Sequence, residues 1–282
     1  MKQRAMSTAR GVALVRAVEM TRPEADQISS DPYARAFVDG LNLLGLRMML
    51  ATGLARLIGI EPMLTFAIVR EHYVYDLMVG ETKAGLGQLV ILGAGFDTRA
   101  YRIAGLGDLP LFEVDHPVTQ ADKLAALRKV SAPLPPGHRF VGVDFETDDL
   151  GERLRAAGYR EDLRTLFVWQ GVSMYLTAAA IDRTLGFVAQ HAAPGSTLVF
   201  DYFDARAMAS GEARTIRFFT AMMGEKVTFA IDAGGIEAFL TSRGFTDVRN
   251  ARPEDMARPY LTGANARRPM ARGVNIVAAK VK

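Results

Sequence analysis

Val90-Ile91-Leu92-Gly93-Ala94-Gly95-Phe96-Asp97-Thr98-Arg99 is an apolar run that passes directly into a Gly-x-Gly turn and then into helical sequence. The two glycines let the backbone reverse sharply and let a ligand lie against the main chain with no Cβ in the way. Alone, such a turn is a weak signal, and its neighbours decide what it holds. The next apolar run, 111–115 (LFEVD), carries two acids, Glu113 and Asp115. They follow the turn by roughly twenty residues, where nucleotide-binding βαβ folds hold ribose hydroxyls. A carboxylate accepts both hydrogen bonds of a vicinal diol, and Asp115, at the tip of the run, is the better placed of the two acids.

A dinucleotide site needs a third glycine, so that a pyrophosphate can sit on the helix N-terminus; that position is Thr98. Nicotinamide and flavin therefore lose ground. A third run, 139–143, ends at Asp144-Phe145, a carboxylate for the exocyclic amine of adenine and a ring to pack on the base. An adenosine without a pyrophosphate points to S-adenosylmethionine.

Outward from this centre, short apolar runs at 89–93, 111–115, 139–143, 165–170 and 197–202 alternate with helical stretches, the pattern of βα units around a parallel sheet. Runs at 247–250 and 273–281 are expected to pair as a closing hairpin, for seven strands. Before the sheet, apolar residues recur at helical spacing through Val12, Val15 and Val18, and again through Phe66, Val69, Tyr73 and Leu77. The expectation is one compact α/β domain: a helical cap over 1–80 and a Rossmann-like core over 81–282. A polar helical insertion at about 204–226 forms a lid; 227–231 and a helix ending at Gly244 follow. Leu41 to Leu64 is oily, but Asn42, Arg47, Arg56 and Glu61 interrupt it, so it reads as a buried or cap helix, not a membrane span.

Apolar residues make up 49% and charged residues 23% of the 282, which suits a folded chain. The net charge of +3 comes from scattered residues with no interleaved aromatic surface, so nucleic acid is not expected as a partner. No cysteine is present, which excludes disulfides, thiolate metal sites and cysteine nucleophiles. The first residues lack the apolar stretch of a signal peptide, and a cytoplasmic setting follows as an expectation.

In order, LVILGAGFDTRAYR (89–102), LFEVDHP (111–117), FVGVDFETDDL (140–150) and FVWQGVSMYL (167–176) resemble the leucine carboxyl methyltransferase family, in particular its bacterial relatives that O-methylate small molecules and polyketides. TARGVALVRAVEMTRP (8–23) and DPYARAF (31–37) extend the resemblance over nearly the whole chain. It implies a class I S-adenosylmethionine-dependent methyltransferase. The turn Gly93-Ala94-Gly95 would contact the methionine part, Asp115 the ribose with His116 directly after it, and Asp144 with Phe145 the adenine. Arg70, in IVREHYVYDL, matches the family position that reaches the methionine carboxylate, for which a planar guanidinium is suited. One position departs from the pattern: Gln170 stands where the family commonly has Glu, the residue expected to hold the amino group. Gln keeps the acceptor and loses the charge, so weaker affinity or a rearranged contact is expected.

Methyl transfer from a sulfonium needs no metal. Whether it needs a base depends on the acceptor, because a carboxylate (pKa ~4) is ionised at neutral pH and a phenol (~10) is not. His72, near Arg70, and Tyr175 are the candidate catalytic residues. His138 and His191 fall at loop or helix-end positions. Met48, Met49, Met63, Phe218, Phe219, Met222 and Met223 are candidates for an adaptable apolar acceptor wall. The expected function is O-methylation of a carboxylate or hydroxyl on a small, partly apolar molecule in natural-product biosynthesis. Protein C-terminal methylation, a nicotinamide-dependent oxidoreductase and a S-adenosylmethionine-binding protein without turnover are the weaker readings.

Overall fold

The computed structural model describes residues 2–130, 134–210 and 227–282, with side chains from Thr8 onward. Its centre is a seven-stranded sheet formed by β1 (Gln88–Leu92), β2 (Leu111–Asp115), β3 (His138–Gly142), β4 (Thr165–Trp169), β5 (Thr197–Phe203), β6 (Phe245–Ala251) and β7 (Val274–Val281). The spatial order is β3-β2-β1-β4-β5-β7-β6. The first five strands run parallel, and β7 is antiparallel to both β5 and β6. Chain direction across the sheet reverses between β1 and β4, and in such a sheet the crevice at the carboxyl ends beside that reversal is where ligands bind.

The strands are apolar on both faces because helices cover both. Leu89, Ile91, Leu111, Leu166, Val168 and Val199 belong to one core cluster with Phe66, Ile68, Val69 and Met78 of α4. Their alternate neighbours Val90, Leu92, Phe112, Val114, Phe167 and Leu198 belong to a second, with Leu150 and Leu154 of α7 and Ile181, Leu185 and Val188 of α8. A strand's period of two thus divides each apolar run between two cores. The helices concerned are α1 (Lys2–Glu19), α2 (Gly40–Ala51), α3 (Leu54–Leu57), α4 (Glu61–Lys83), α5 (Arg99–Arg102), α6 (Pro117–Lys129), α7 (Leu150–Ala156) and α8 (Ala178–His191).

The seven expected strands are all present, with ends displaced by one or two residues. The largest difference is β6, read as 247–250. Asp247 sits at φ +47 where the pairing with β7 shifts register between Thr246 and Arg249, and this bulge hides the strand's true start from a simple alternation pattern. The run 227–231 adds no strand; it makes a single bridge between Ile231 and Asp204.

The segment over α2 and α3, read as a buried or cap helix, is not a buried one, although Leu46 and Ala55 join the core. Leu41, Leu44, Met48, Leu54, Leu57 and Ile58 are exposed. No helix among the described residues is long and apolar enough to cross a membrane. Phe218, Phe219, Met222, Met223 and most of the expected insertion lie outside the described residues.

Candidate active site

The carboxyl ends of β1 to β4 open into a cavity of about 1040 Å³ that α1 and α4 cover from above. At its floor the chain leaves β1 through Gly93 at φ +67 and Gly95 at φ +48, both left-handed. The turn is fastened to β2, where the Gly93 and Ala94 amides donate to the Val114 carbonyl at 2.7 and 3.0 Å. A Cβ on Gly93 would come within 2.2 Å of Val172 Cγ2, so only glycine lets the β1 and β4 loops close on each other.

Asp115 lines the cavity and accepts from the Gly95 amide at 2.5 Å and the His116 amide at 2.6 Å. Burial pushes its carboxyl above the ordinary range, against the lowering effect of those two donors. Glu113, on the same face of β2 but deeper, is sealed: its carboxylate pairs with the buried Lys123 at 2.5 Å and lies 3.4 Å from His138. It does not line the cavity. His116 does, with its ring fixed as the cap of α6 by an Nδ1 that accepts from the Val118 amide at 3.2 Å.

Asp144 and Phe145 follow β3 on the same rim. Asp144 Oδ1 accepts from the Glu146 amide at 3.1 Å, and Glu146 in turn accepts from the Thr177 amide and hydroxyl at 3.1 and 2.9 Å. The start of α8 is thereby tied to the expected adenine loop. Gln170 follows β4, and its buried Oε1 has no partner among the described residues. Tyr175 lines the wall from a single helical turn, Ser173–Tyr175.

Arg70 enters from α4, nearly buried, and its guanidinium is bound by Asp201 of β5. His72 stands two residues on, on another face of the helix. Its ring stacks on Tyr75 at 5.6 Å, meets Tyr260 edge-on at 5.0 Å, and is not among the cavity's lining residues. This placement corrects the grouping of His72 with the reacting centre, because a step of two residues turns a helical side chain by roughly 200°. Met48 and Met49 also lie away from the cavity, whereas Met63 lines it.

Several residues of the wall escaped the sequence reading. Arg16 of α1 is buried, donates to the Phe96 carbonyl at 2.6 Å and pairs with Asp31 at 2.9 Å, joining the N-terminal helix to the glycine turn and to the segment 31–37. Glu71, held by Ser29 and Arg102, is also buried there, and Asp97, held by Arg99, is mostly covered. Burial raises both carboxyls, but the neighbouring arginines outweigh it and hold them below their usual values. Charged residues within apolar stretches, Arg16 in GVALVRAV and Asp201 in TLVFDYF, were the available signal.

These features fit an adenosyl amino acid. The glycine turn leaves room for a ligand against the main chain, Asp115 and Asp144 stand at neighbouring strand tips, and an unpartnered acceptor on Gln170 lines the same cavity. Among the described residues no cluster of potential metal ligands occurs.

Comparison with known proteins agrees. Residues 9–189 match the model of the leucine carboxyl methyltransferase family. A protein of Mycolicibacterium smegmatis, named by inference as an S-adenosyl-L-methionine-dependent methyltransferase, is 34% identical over 230 residues, covering 79% of this chain and 76% of its own. A Bacillus subtilis protein named in the same way is 31% identical over 194 residues, covering 67% of this chain and 64% of its own. Among solved structures, an inferred O-methyltransferase from Nostoc punctiforme aligns with a TM-score of 0.51 at 10% identity, over 74% of this chain and 56% of that one, a likeness of fold alone. The chain is thus an S-adenosylmethionine-dependent methyltransferase with a Rossmann-like core, and it belongs to the leucine carboxyl methyltransferase family.

Proposed function

We propose that this protein is an O-methyltransferase that esterifies a carboxylate on a small, partly apolar molecule in natural-product biosynthesis, within the reducing interior of the cell. One observation carries the reading: an apolar wall, together with acids and a histidine that are all engaged elsewhere. Val12, Val15, Met63, Leu64, Phe66 and Met174 supply the apolar surface. Glu71 is held by Arg102, Asp97 by Arg99, Asp115 by two amides, Asp144 by one, Glu146 by Thr177, and His116 by its capping bond. An acceptor that is already ionised at neutral pH asks for no base from such a wall, whereas a phenol does.

When bound, the cofactor supplies an electrophilic methyl on a sulfonium; the acceptor oxygen forms the new C–O bond as the C–S bond breaks, leaving a neutral thioether. The chain's part is positional. The glycine turn and the strand-tip acids fix one reactant, and the apolar wall excludes water and orients the other, which turns a bimolecular encounter into an in-line one. Tyr175 lines the wall, and in this reading it orients the acceptor by a hydrogen bond.

The test is turnover of labelled S-adenosylmethionine with matched panels of apolar carboxylic acids and phenols. Base-labile methyl esters are expected with the acids. Methylation confined to phenols or to amines would overturn the proposal. Tyr175→Phe is expected to raise KM for the acceptor several-fold and leave cofactor affinity unchanged.

A further inference from the structure

Two polar atoms on the β4 side of the cavity lack partners among the described residues: Nε of Arg70, a donor, and Oε1 of Gln170, an acceptor. Both residues line the cavity. Between them stands Gly171 at φ +74, where a Cβ would fall 3.6 Å from Arg70 Nη1, so the guanidinium lies close against the backbone of the loop after β4. A single carboxylate holds the two parts together. Asp201, with its side chain wholly buried, takes Arg70 Nη1 on Oδ2 and the Gly171 amide on Oδ1 at 2.7 Å. The Ser173 hydroxyl donates to the Asp201 carbonyl at 2.5 Å, fixing the same loop a second time.

An acid in the middle of a buried strand is unfavourable unless it is fully paired, and here its partners are the two elements that flank the free donor and the free acceptor. A free N–H beside a free carbonyl oxygen is the complement of an amino acid's carboxylate and ammonium. We propose that Asp201 is the positioning residue for the amino-acid end of the cofactor. It sets Arg70 and Gln170 in register as donor and acceptor, and it supplies from beneath Gly171 the negative charge that Gln170 lacks. The proposal rests on the reading of this cavity as the S-adenosylmethionine site.

The test compares two ligands that share the adenosine: S-adenosylhomocysteine, which carries the amino-acid end, and 5′-methylthioadenosine, which does not. Both are titrated calorimetrically against the full chain. In Asp201→Asn the homocysteine ligand is expected to weaken by roughly ten- to a hundredfold, the range for losing charge-assisted contacts, with the methylthio ligand within about twofold of wild type. Adding Gln170→Glu to that variant is expected to recover at least about tenfold of the loss, because the charge returns to the same corner.

Equal weakening of both ligands would assign Asp201 a merely structural role, and no weakening of either would remove it from the site; each result overturns the proposal. Should Asp201→Asn not fold, Arg70→Gln with Asp201→Asn removes both buried charges together and leaves neither unpaired. A wild-type preference for the homocysteine ligand that survives in this double variant also overturns the proposal. If wild type binds neither ligand, the reading of the cavity fails instead.

Discussion

Side chains at the strand tips work here through the backbone groups they hold. Asp115 accepts two amides while lining the cavity, and its burial raises its pKa above the ordinary carboxylate value. A ligand diol is best accepted by the ionised form, so affinity for S-adenosylhomocysteine is expected to fall as pH drops through that raised value. The fall begins above the ~3.9 of a free aspartate. Calorimetry from pH 7 down to about pH 4 checks this, and a profile that stays flat down to about pH 4 contradicts it. Asp115→Ala is expected to weaken the same ligand roughly tenfold or more through the loss of charge-assisted bonds. Gly93→Ala places a Cβ against Val172 at a left-handed φ. It is expected to lower stability by about 1–3 kcal/mol in denaturant titration and to abolish measurable cofactor binding.

The elements matter to the site through their ends. Thr177 caps α8 by accepting from the Ala180 amide at 3.2 Å, and the same hydroxyl donates to Glu146, two residues beyond Asp144. Replacing Thr177 by Ala removes a helix cap and a tether of the loop after β3 at once. The expected outcome is a loss of about 1 kcal/mol in stability, with weaker binding of adenosine-containing ligands, read by denaturant titration and calorimetry. Unchanged binding would mean that the loop is fixed by the remaining contacts with α8, the amide of residue 177 to Glu146 and Arg183 to the Phe145 and Glu146 carbonyls. At the other end of the cavity, α1 reaches the glycine turn through Arg16, whose two contacts join the N-terminal helix to Phe96 and Asp31, and through Ala9 and Ala13, which pack with Phe96. The helical cap and the sheet therefore share one set of buried charges.

Across the whole molecule these charges make stability depend on pH. Glu71 and Asp97 have folded pKa values below the ~4 of an unfolded chain, because the attraction of arginines outweighs burial. Their stabilisation is complete above about pH 5 and is lost as pH falls through the lowered folded values. Asp115 acts with the opposite sign, since its raised value favours the protonated folded state, so its contribution declines as pH rises through that value. Melting temperature is expected to fall from pH 5 towards pH 3. Asp97→Asn should lower stability at pH 7 and make that acid limb shallower, and an unaltered limb would locate the titration elsewhere.

Strand number, sheet position and the glycine turn were legible in the sequence because they are written in local periodicity: apolar runs of strand length, helical spacing between them, and glycines where only a left-handed backbone closes the turn. The bulge in β6 was not, since its extra residue breaks the alternation by which a strand is read. Motif order carried the family and its cofactor. Proximity between distant segments is what local pattern omits. Only the folded chain brings Asp201 to Arg70, across 131 positions, and Arg16 to Phe96, across 80, and turns His72 away from the cavity that Arg70 lines. A buried charge takes its partner from whatever packing places beside it, so such pairings are decided by tertiary structure.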